Sequence, residues 1–344
     1  MKGATVLTCL ILIFFATVAW GDSTAWEAVW QSEDASSRVS LTGQANTMAV
    51  TDGRQLSATA AVSVGGGKVR FDYRARGRSW SLIDDGLYLM RLQPTLKKAL
   101  LLERPRLAVD RELAERNYVA REVASGVVAG RDAKMVEIAP RSGGPVVFRL
   151  WLDGETGFAL KHERYNVEGR MTSATEYSRV TFGVKIAPDV FAVPKGWVKE
   201  ESVRSDEALS VERLSFRLGF MVRRPRYIPE EYRLMGTYEK RWGRRRLRAA
   251  ELRYTDGLRV LSVFQHPHRE DWSRGPRREE RGRGGGGRGR DHGGLGMGPP
   301  RPGEMTLVDR GTDKVVRYFG RDMAVFVIGD MLSDELVRIA RSVE

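Results

Sequence analysis

Few residues in this chain are equipped for chemistry. There are four histidines, His162, His266, His268 and His292, and one cysteine, Cys9. His266-Pro267-His268 followed by Glu270 and Asp271 has the donor types for a metal. Two imidazoles do not complete a tetrahedral set, however, and Pro267 beside a loop works against a preformed site. No metal or other cofactor is expected. His162 shares a strand face with Phe158 and Leu160, which suits a hydrogen-bonded histidine at a core edge. Asp84-Asp85 and Asp153 stand beside glycines in turn positions, where aspartate is favoured for its bonds to nearby backbone N–H groups. Neither a Gly-x-Ser-x-Gly elbow nor a phosphate loop occurs. Binding is the expected activity. An enzyme with a site outside these motifs is the remaining alternative.

The candidate binding residues are apolar. Phe148, Leu150, Trp151 and Leu152 lie in one short stretch, with Phe71 and Tyr73 in another. They are the candidates to line any apolar interior that the sheet encloses; on the plainer reading they are ordinary core. Phe148, Leu150 and Leu152 fall on one face of a strand and Val147, Arg149 and Trp151 on the other.

Closely spaced turn signals position these residues. Strand-like runs from Val39 to Ile186 are separated by Asp52-Gly53, Gly65-Gly66-Gly67 and Asp84-Asp85-Gly86. Such spacing predicts an antiparallel meander. A short amphipathic helix precedes it, with a capping box at Thr24 to Glu27 and Trp26, Val29 and Trp30 on one face. One helix, roughly Leu107 to Glu115, interrupts the strands. Residues 187–210 hold Pro188, Pro194-Lys195-Gly196 and a charged run, and read as a connection between domains. A smaller α+β unit is predicted over 211–344. Its strands run over Leu214–Val222, Tyr232–Lys240, Leu247–Tyr254, Leu258–Gln265, Val315–Phe319 and Ala324–Gly329. A final helix is capped by Ser333 and buries Leu336, Ile339, Ala340 and Val343. Asp256-Gly257 before Leu258–Gln265 is a tight hairpin turn. The fold class is therefore α+β, with a sheet-based domain over 22–186 and a second over 211–344.

The first 21 residues read as a cleavable secretory signal. Lys2 precedes an apolar run from Ala4 to Trp20, and Ala19-Trp20-Gly21 places small residues where a signal peptidase acts. An uncleaved anchor is the alternative, and Cys9 sits too early for a convincing lipidation site. Without Cys9 the mature chain has no thiol, which excludes disulfides and thiolate metal sites. With 344 residues and 42% hydrophobic content, two cores can form. The net charge of +13 in an exported protein points to acidic membrane surfaces or an acidic partner before nucleic acid; the alternative is that an Arg-rich composition merely keeps the protein soluble. The insertion at 269–303 is too poor in apolar residues to repay the entropy of folding, and reads as a solvated loop. Self-association stays open.

Three stretches resemble the MucB/RseB family of regulators of the sigma-E envelope-stress response. Asn117-Tyr118, with Gly130-Arg131-Asp132-Ala133 and Val136 to Pro140, is the first. Leu150 to Phe158, with its Asp153-x-x-Thr156-Gly157 turn, is the second. Pro229-Glu230-Glu231-Tyr232 and the run Asp256-Gly257-Leu258 to Phe264 make up the third. The resemblance implies a LolA/LolB-like N-terminal domain, a curved antiparallel sheet or half-barrel closed by helices around an apolar cavity. A smaller C-terminal domain of sheet and helix follows. It further implies a periplasmic protein that binds the periplasmic segment of a transmembrane anti-sigma factor and shields it from proteolysis. Lipid, lipopolysaccharide or lipoprotein acyl chains would release it. The alternative is a LolA-like carrier of lipoproteins or lipids with no anti-sigma partner. The Arg/Gly-rich insertion departs from the family pattern.

Overall fold

The computed structural model describes residues 23–103, 110–202, 207–242, 247–267 and 302–343. The predicted leader, His268, His292 and the insertion up to residue 301 lie outside them.

Helix α1 (Ser23–Arg38) buries Trp26, Val29 and Trp30, as the helical spacing requires. It starts at Ser23, so Thr24 lies inside its first turn. An antiparallel run follows through β1 (Leu41–Thr51), β2 (Arg54–Gly65), β3 (Lys68–Ala75), β4 (Arg78–Asp84), β5 (Tyr88–Gln93) and β6 (Lys98–Glu103). Asp52-Gly53 and Arg76-Gly77 carry positive φ at both positions, the two-residue geometry whose twist matches paired strands. Helix α2 spans Arg111–Asn117, and residues 107–109 of the helix expected there lie outside the described residues. The Asp110 side chain accepts from Leu113 N and so sets its first turn. A second antiparallel run comprises β7 (Tyr118–Val128), β8 (Arg131–Pro140), β9 (Phe148–Asp153), β10 (Ala159–Tyr165) and β11 (Met171–Phe182).

β11 pairs with β1 and joins the two runs. The last strand, β12 (Val198–Ser202), pairs parallel to β6. The result is a mixed sheet of 12 strands, ordered β12-β6-β5-β4-β3-β2-β1-β11-β10-β9-β8-β7, and not the purely antiparallel sheet expected. It curls enough for β7 to touch β11 across the three strands between them, yet its ladder stays open among the described residues. The predicted connection at 187–210 thus belongs partly to this sheet. Phe191 is buried against Ile83, Met90, Leu92, Ala99 and Leu101, and Trp197 packs beside them, so this segment is held by apolar burial.

The second sheet contains β13 (Arg233–Trp242), β14 (Leu247–Thr255), β15 (Val260–Pro267), β16 (Met305–Asp309), β17 (Lys314–Phe319) and β18 (Met323–Gly329). Its order is β13-β14-β15-β18-β17-β16, and every pairing is antiparallel. Helix α3 (Val211–Leu218) occupies the region expected as a strand over Leu214–Val222. Ser210 Oγ accepts from Arg213 N at its start, and Gly219 ends it at φ 76°. Helix α4 (Ser333–Arg341) closes the unit with Leu336, Ile339, Ala340 and Val343 buried, as predicted. Leu332, not Ser333, takes the N-cap position. Leu214, Leu252, Leu261, Val263, Val316 and Val327 complete this core.

Candidate functional site

The six apolar candidates divide into two groups. In β9, alternation sends Phe148, Leu150 and Leu152 into the cluster of Trp26, Val29, Trp30, Ala114, Tyr118, Val136 and Ile138. Trp151 instead packs, with Phe71 and Tyr73, against Leu41, Ala60, Val62, Phe158, Leu160 and Tyr177. Helix α1 links the two groups, placing Trp26 and Trp30 in the first and Ala35 in the second.

Phe71, Tyr73 and Trp80 form a stacked row. Ring centroids lie 5.6 Å apart for Phe71–Tyr73 and 5.2 Å for Tyr73–Trp80, because Trp80 of β4 is the cross-strand partner of Tyr73. All three rings are half-buried. Burial pushes the Tyr73 hydroxyl above its ordinary pKa. Burial also holds His162 below the usual histidine range, so its ring is neutral at neutral pH. Sequence reasoning missed Trp80, although its place opposite Tyr73 follows from the Arg76-Gly77 turn. His266 is buried and stacks on Phe326 at 5.5 Å.

The sequence motifs meet elsewhere, at the seam between the two sheets. Asp256 is the hub. Its Oδ1 accepts from Leu258 N at 3.0 Å and Arg259 N at 2.7 Å, which locks the hairpin turn. Its Oδ2 accepts from the Tyr118 hydroxyl of the first domain at 2.5 Å. Asn117 Nδ2 donates to the carbonyls of Asp256 at 2.9 Å and Glu231 at 2.8 Å. Leu258 then packs onto the first domain's Trp26–Tyr118 cluster. Gly257 sits at φ 103°, and a Cβ there would lie 2.4 Å from Ala114 N. Only glycine satisfies both the turn and the approach of α2.

A buried charge lies behind this turn. Arg259 Nε and Asp330 Oδ2 are 3.2 Å apart, and Asp330 Oδ1 accepts from Val167 N of the first domain at 2.9 Å. Burial pushes the Asp330 carboxyl up, with Arg259 opposing it. Tyr118 and Tyr232 are raised first by burial and then by the Asp256 charge, so both remain protonated donors. At the far end of the seam, Lys314 pairs with Glu168 and donates to the Met331 carbonyl at 3.0 Å. Arg170 there bridges Glu168 and Asp309 at 2.9 Å each. A Cβ on Gly311 would lie 2.4 Å from Val50 Cγ1, so the β16–β17 turn also presses against the first sheet.

The Asp153-x-x-Thr156-Gly157 motif has a structural role. Asp153 Oδ1 accepts from Thr156 N at 2.9 Å and Thr156 Oγ1 at 2.8 Å, while Arg131 holds the other oxygen at 2.5 Å. Burial opposes ionisation, but Arg131 and Thr156 hold the carboxyl below its ordinary pKa. It is an anchored turn, without an acid–base role.

Residues 92–195 match the family model described as the MucB/RseB N-terminal domain. The matched segment includes Asn117-Tyr118 and the Asp153–Gly157 turn, the first two stretches that carried the resemblance. The MucB fold extends through the second sheet as well. A crystal structure of MucB in complex with MucA(peri) is similar at TM-score 0.59 and 19% identity, over 93% of this chain and 98% of that one. A Pseudomonas aeruginosa MucA/MucB complex gives TM-score 0.60 and 18% identity, over 92% and 97%. A further MucB crystal structure gives 0.51 and 19%, over 94% and 98%. No curated protein matches the sequence.

Proposed function

We propose that this protein is an exported, periplasmic regulator that binds the periplasmic segment of a transmembrane anti-sigma factor and is released from it by an acyl ligand. The observation that carries the first half is the fold. Its two sheets follow, over 93% of the chain, those of a MucB solved with MucA(peri). The leader and its cleavage before Asp22 supply the compartment.

The ligand half rests on the half-buried Phe71, Tyr73 and Trp80 rings within the curl of the first sheet. A methylene buried there gains about 0.8 kcal/mol, so one acyl chain suffices for the few kcal/mol of coupling that regulation needs. Tyr118 gives the coupling a route. It packs in the cluster that holds Phe148, Leu150 and Leu152, and its hydroxyl crosses the seam to Asp256. A ligand at the aromatic row that shifts α1, which spans both clusters, would disturb the packing of Tyr118 and favour a different arrangement of the two domains, shifting the equilibrium by its differential affinity for the two arrangements.

Calorimetry of the mature protein with the periplasmic segment of the one-span anti-sigma factor encoded beside its sigma factor tests the first half. Binding is expected; no heat at micromolar concentrations would sink it. Native mass spectrometry of protein soaked with fatty acid or lipid A tests the second, which fails if no adduct is retained. Retained lipid without anti-sigma binding would favour the carrier.

A further inference from the structure

The outward face of α3 serves neither the fold nor the sites described above. Val211, Leu214 and Leu218 turn toward the core of the second unit. Phe216 points the other way and is 91% exposed, and Met221, just past the helix end, is 71% exposed. Exposing a phenylalanine this fully forfeits burial that a folded chain usually takes. Residues 211–226 contain five arginines, Arg213, Arg217, Arg223, Arg224 and Arg226, against the single acid Glu212. Arg217 is engaged by Glu239 at 2.9 Å and Glu207 at 3.5 Å, and Arg223 by Asp322 at 2.7 Å. Arg213, Arg224 and Arg226 are exposed in the same stretch of chain, 211–226, as the two apolar side chains. Arg213 lies one helical turn before Phe216, on the same face.

We propose that this face docks on the surface of an anionic lipid bilayer, with Phe216 and Met221 entering the headgroup–acyl boundary and the arginines meeting lipid phosphates. The complementarity of charge selects this occupant. A protein partner is expected to cover a contiguous apolar patch, whereas Phe216 and Met221 are separate prongs set among cations. A bilayer interface accepts isolated apolar prongs ringed by basic residues, and its negative potential attracts them. The docking would hold the second unit beside a membrane while the curl of the first sheet stays free to take its ligand.

The chain's one cysteine, Cys9, lies in the leader, so protein expressed from residue 22 onward takes a unique label. Met221→Cys carrying an environment-sensitive nitrobenzoxadiazole dye is mixed with vesicles of phosphatidylglycerol and phosphatidylcholine, or of phosphatidylcholine alone. The dye is expected to shift to the blue and brighten on the anionic vesicles only. Phe216→Asp, and separately Arg213→Glu/Arg224→Glu/Arg226→Glu, should each lower partitioning about tenfold or more, with an unchanged melting temperature. Three results overturn the proposal. One is no association with anionic vesicles. Another is co-sedimentation with an unchanged dye, which places the contact elsewhere, for instance on the Arg/Gly-rich insertion. The third is a Phe216→Asp variant that keeps vesicle binding but loses an anti-sigma segment, which makes the face a protein interface.

Discussion

The Tyr118 hydroxyl donates to Asp256 Oδ2 across the seam between the two sheets, at 2.5 Å, with both residues buried. Tyr118 opens β7 directly after α2, and Asp256 begins the turn between β14 and β15. One hydrogen bond therefore joins the core of the first domain to the β14–β15 turn of the second. Tyr118→Phe keeps the ring packed but removes one of the two tyrosine hydroxyls that donate to the buried Asp256 carboxylate. It should cost about 1–3 kcal/mol. Urea unfolding of wild type and variant measures it, and equal midpoints would show that the bond contributes nothing.

Gly257 is a sharper test of the same contact. Gly257→Ala puts a methyl group against the Ala114 backbone, at a φ that L-residues avoid. Because α2 backbone cannot move aside cheaply, a loss of about 2–4 kcal/mol is expected. Limited proteolysis should then cut faster at the seam than within either sheet. An unaltered pattern would mean the domains already part at this point.

Acid should loosen the far end of the seam. Burial raises the Glu168 carboxyl, but Lys314 and Arg170 outweigh it and hold it below its ordinary pKa. The Gly311 N–H and then Arg170 do the same for Asp309. Both groups hold their protons less tightly folded than unfolded. Their stabilisation is complete above the ordinary carboxylate range and is lost as pH falls through the depressed folded values. Asp330 has the opposite sign. Raised by burial, its contribution is present below its ordinary value and lost as pH rises through the folded one. Melting curves from about pH 7 down to about 3 should fall more steeply for wild type than for Glu168→Gln. Parallel curves would remove Glu168 from the linkage.

The two apolar groups should answer differently to truncation. Tyr73→Ala or Trp80→Ala opens the half-buried aromatic row and should weaken acyl binding about tenfold with a modest stability loss. Leu152→Ala empties part of the packed cluster beneath α1 and should cost about 2–4 kcal/mol. Fatty-acid titration followed by tryptophan fluorescence, paired with urea unfolding, separates the effects. If Tyr73→Ala binds as wild type does, the row is not the acyl site.

Local signals were legible in the sequence and distant partners were not. The Asp256-Gly257 turn is written in two adjacent residues and Gly257 takes the positive φ expected, but the loop holds four residues and β15 begins at Val260, not Leu258. That Gly257 also makes room for Ala114 depends on a contact 143 positions away in the chain, which no local pattern encodes. The alternation of Phe148, Leu150 and Leu152 against Trp151 was readable, but their division between two clusters follows from the curl of the sheet. Leu214, Phe216, Leu218, Phe220 and Val222 repeat every second residue, the pattern of a strand, yet α3 forms there. The Ser210 cap and the left-handed Gly219 override the period, and Phe216 is left on the surface. The edge strand β12 carries one valine and four polar residues, so its place beside β6 had no hydrophobic signature.

The most direct measurement is a displacement titration. Mature protein is bound to a fluorescently labelled periplasmic segment of the anti-sigma factor, and anisotropy is followed as fatty acid or lipid A is added. Anisotropy should fall to that of the free segment, with Tyr73→Ala needing about tenfold more ligand. Lipid that binds while the segment stays held, or a segment that never binds, would contradict a protein in which an acyl chain in the first sheet governs the grip on a partner.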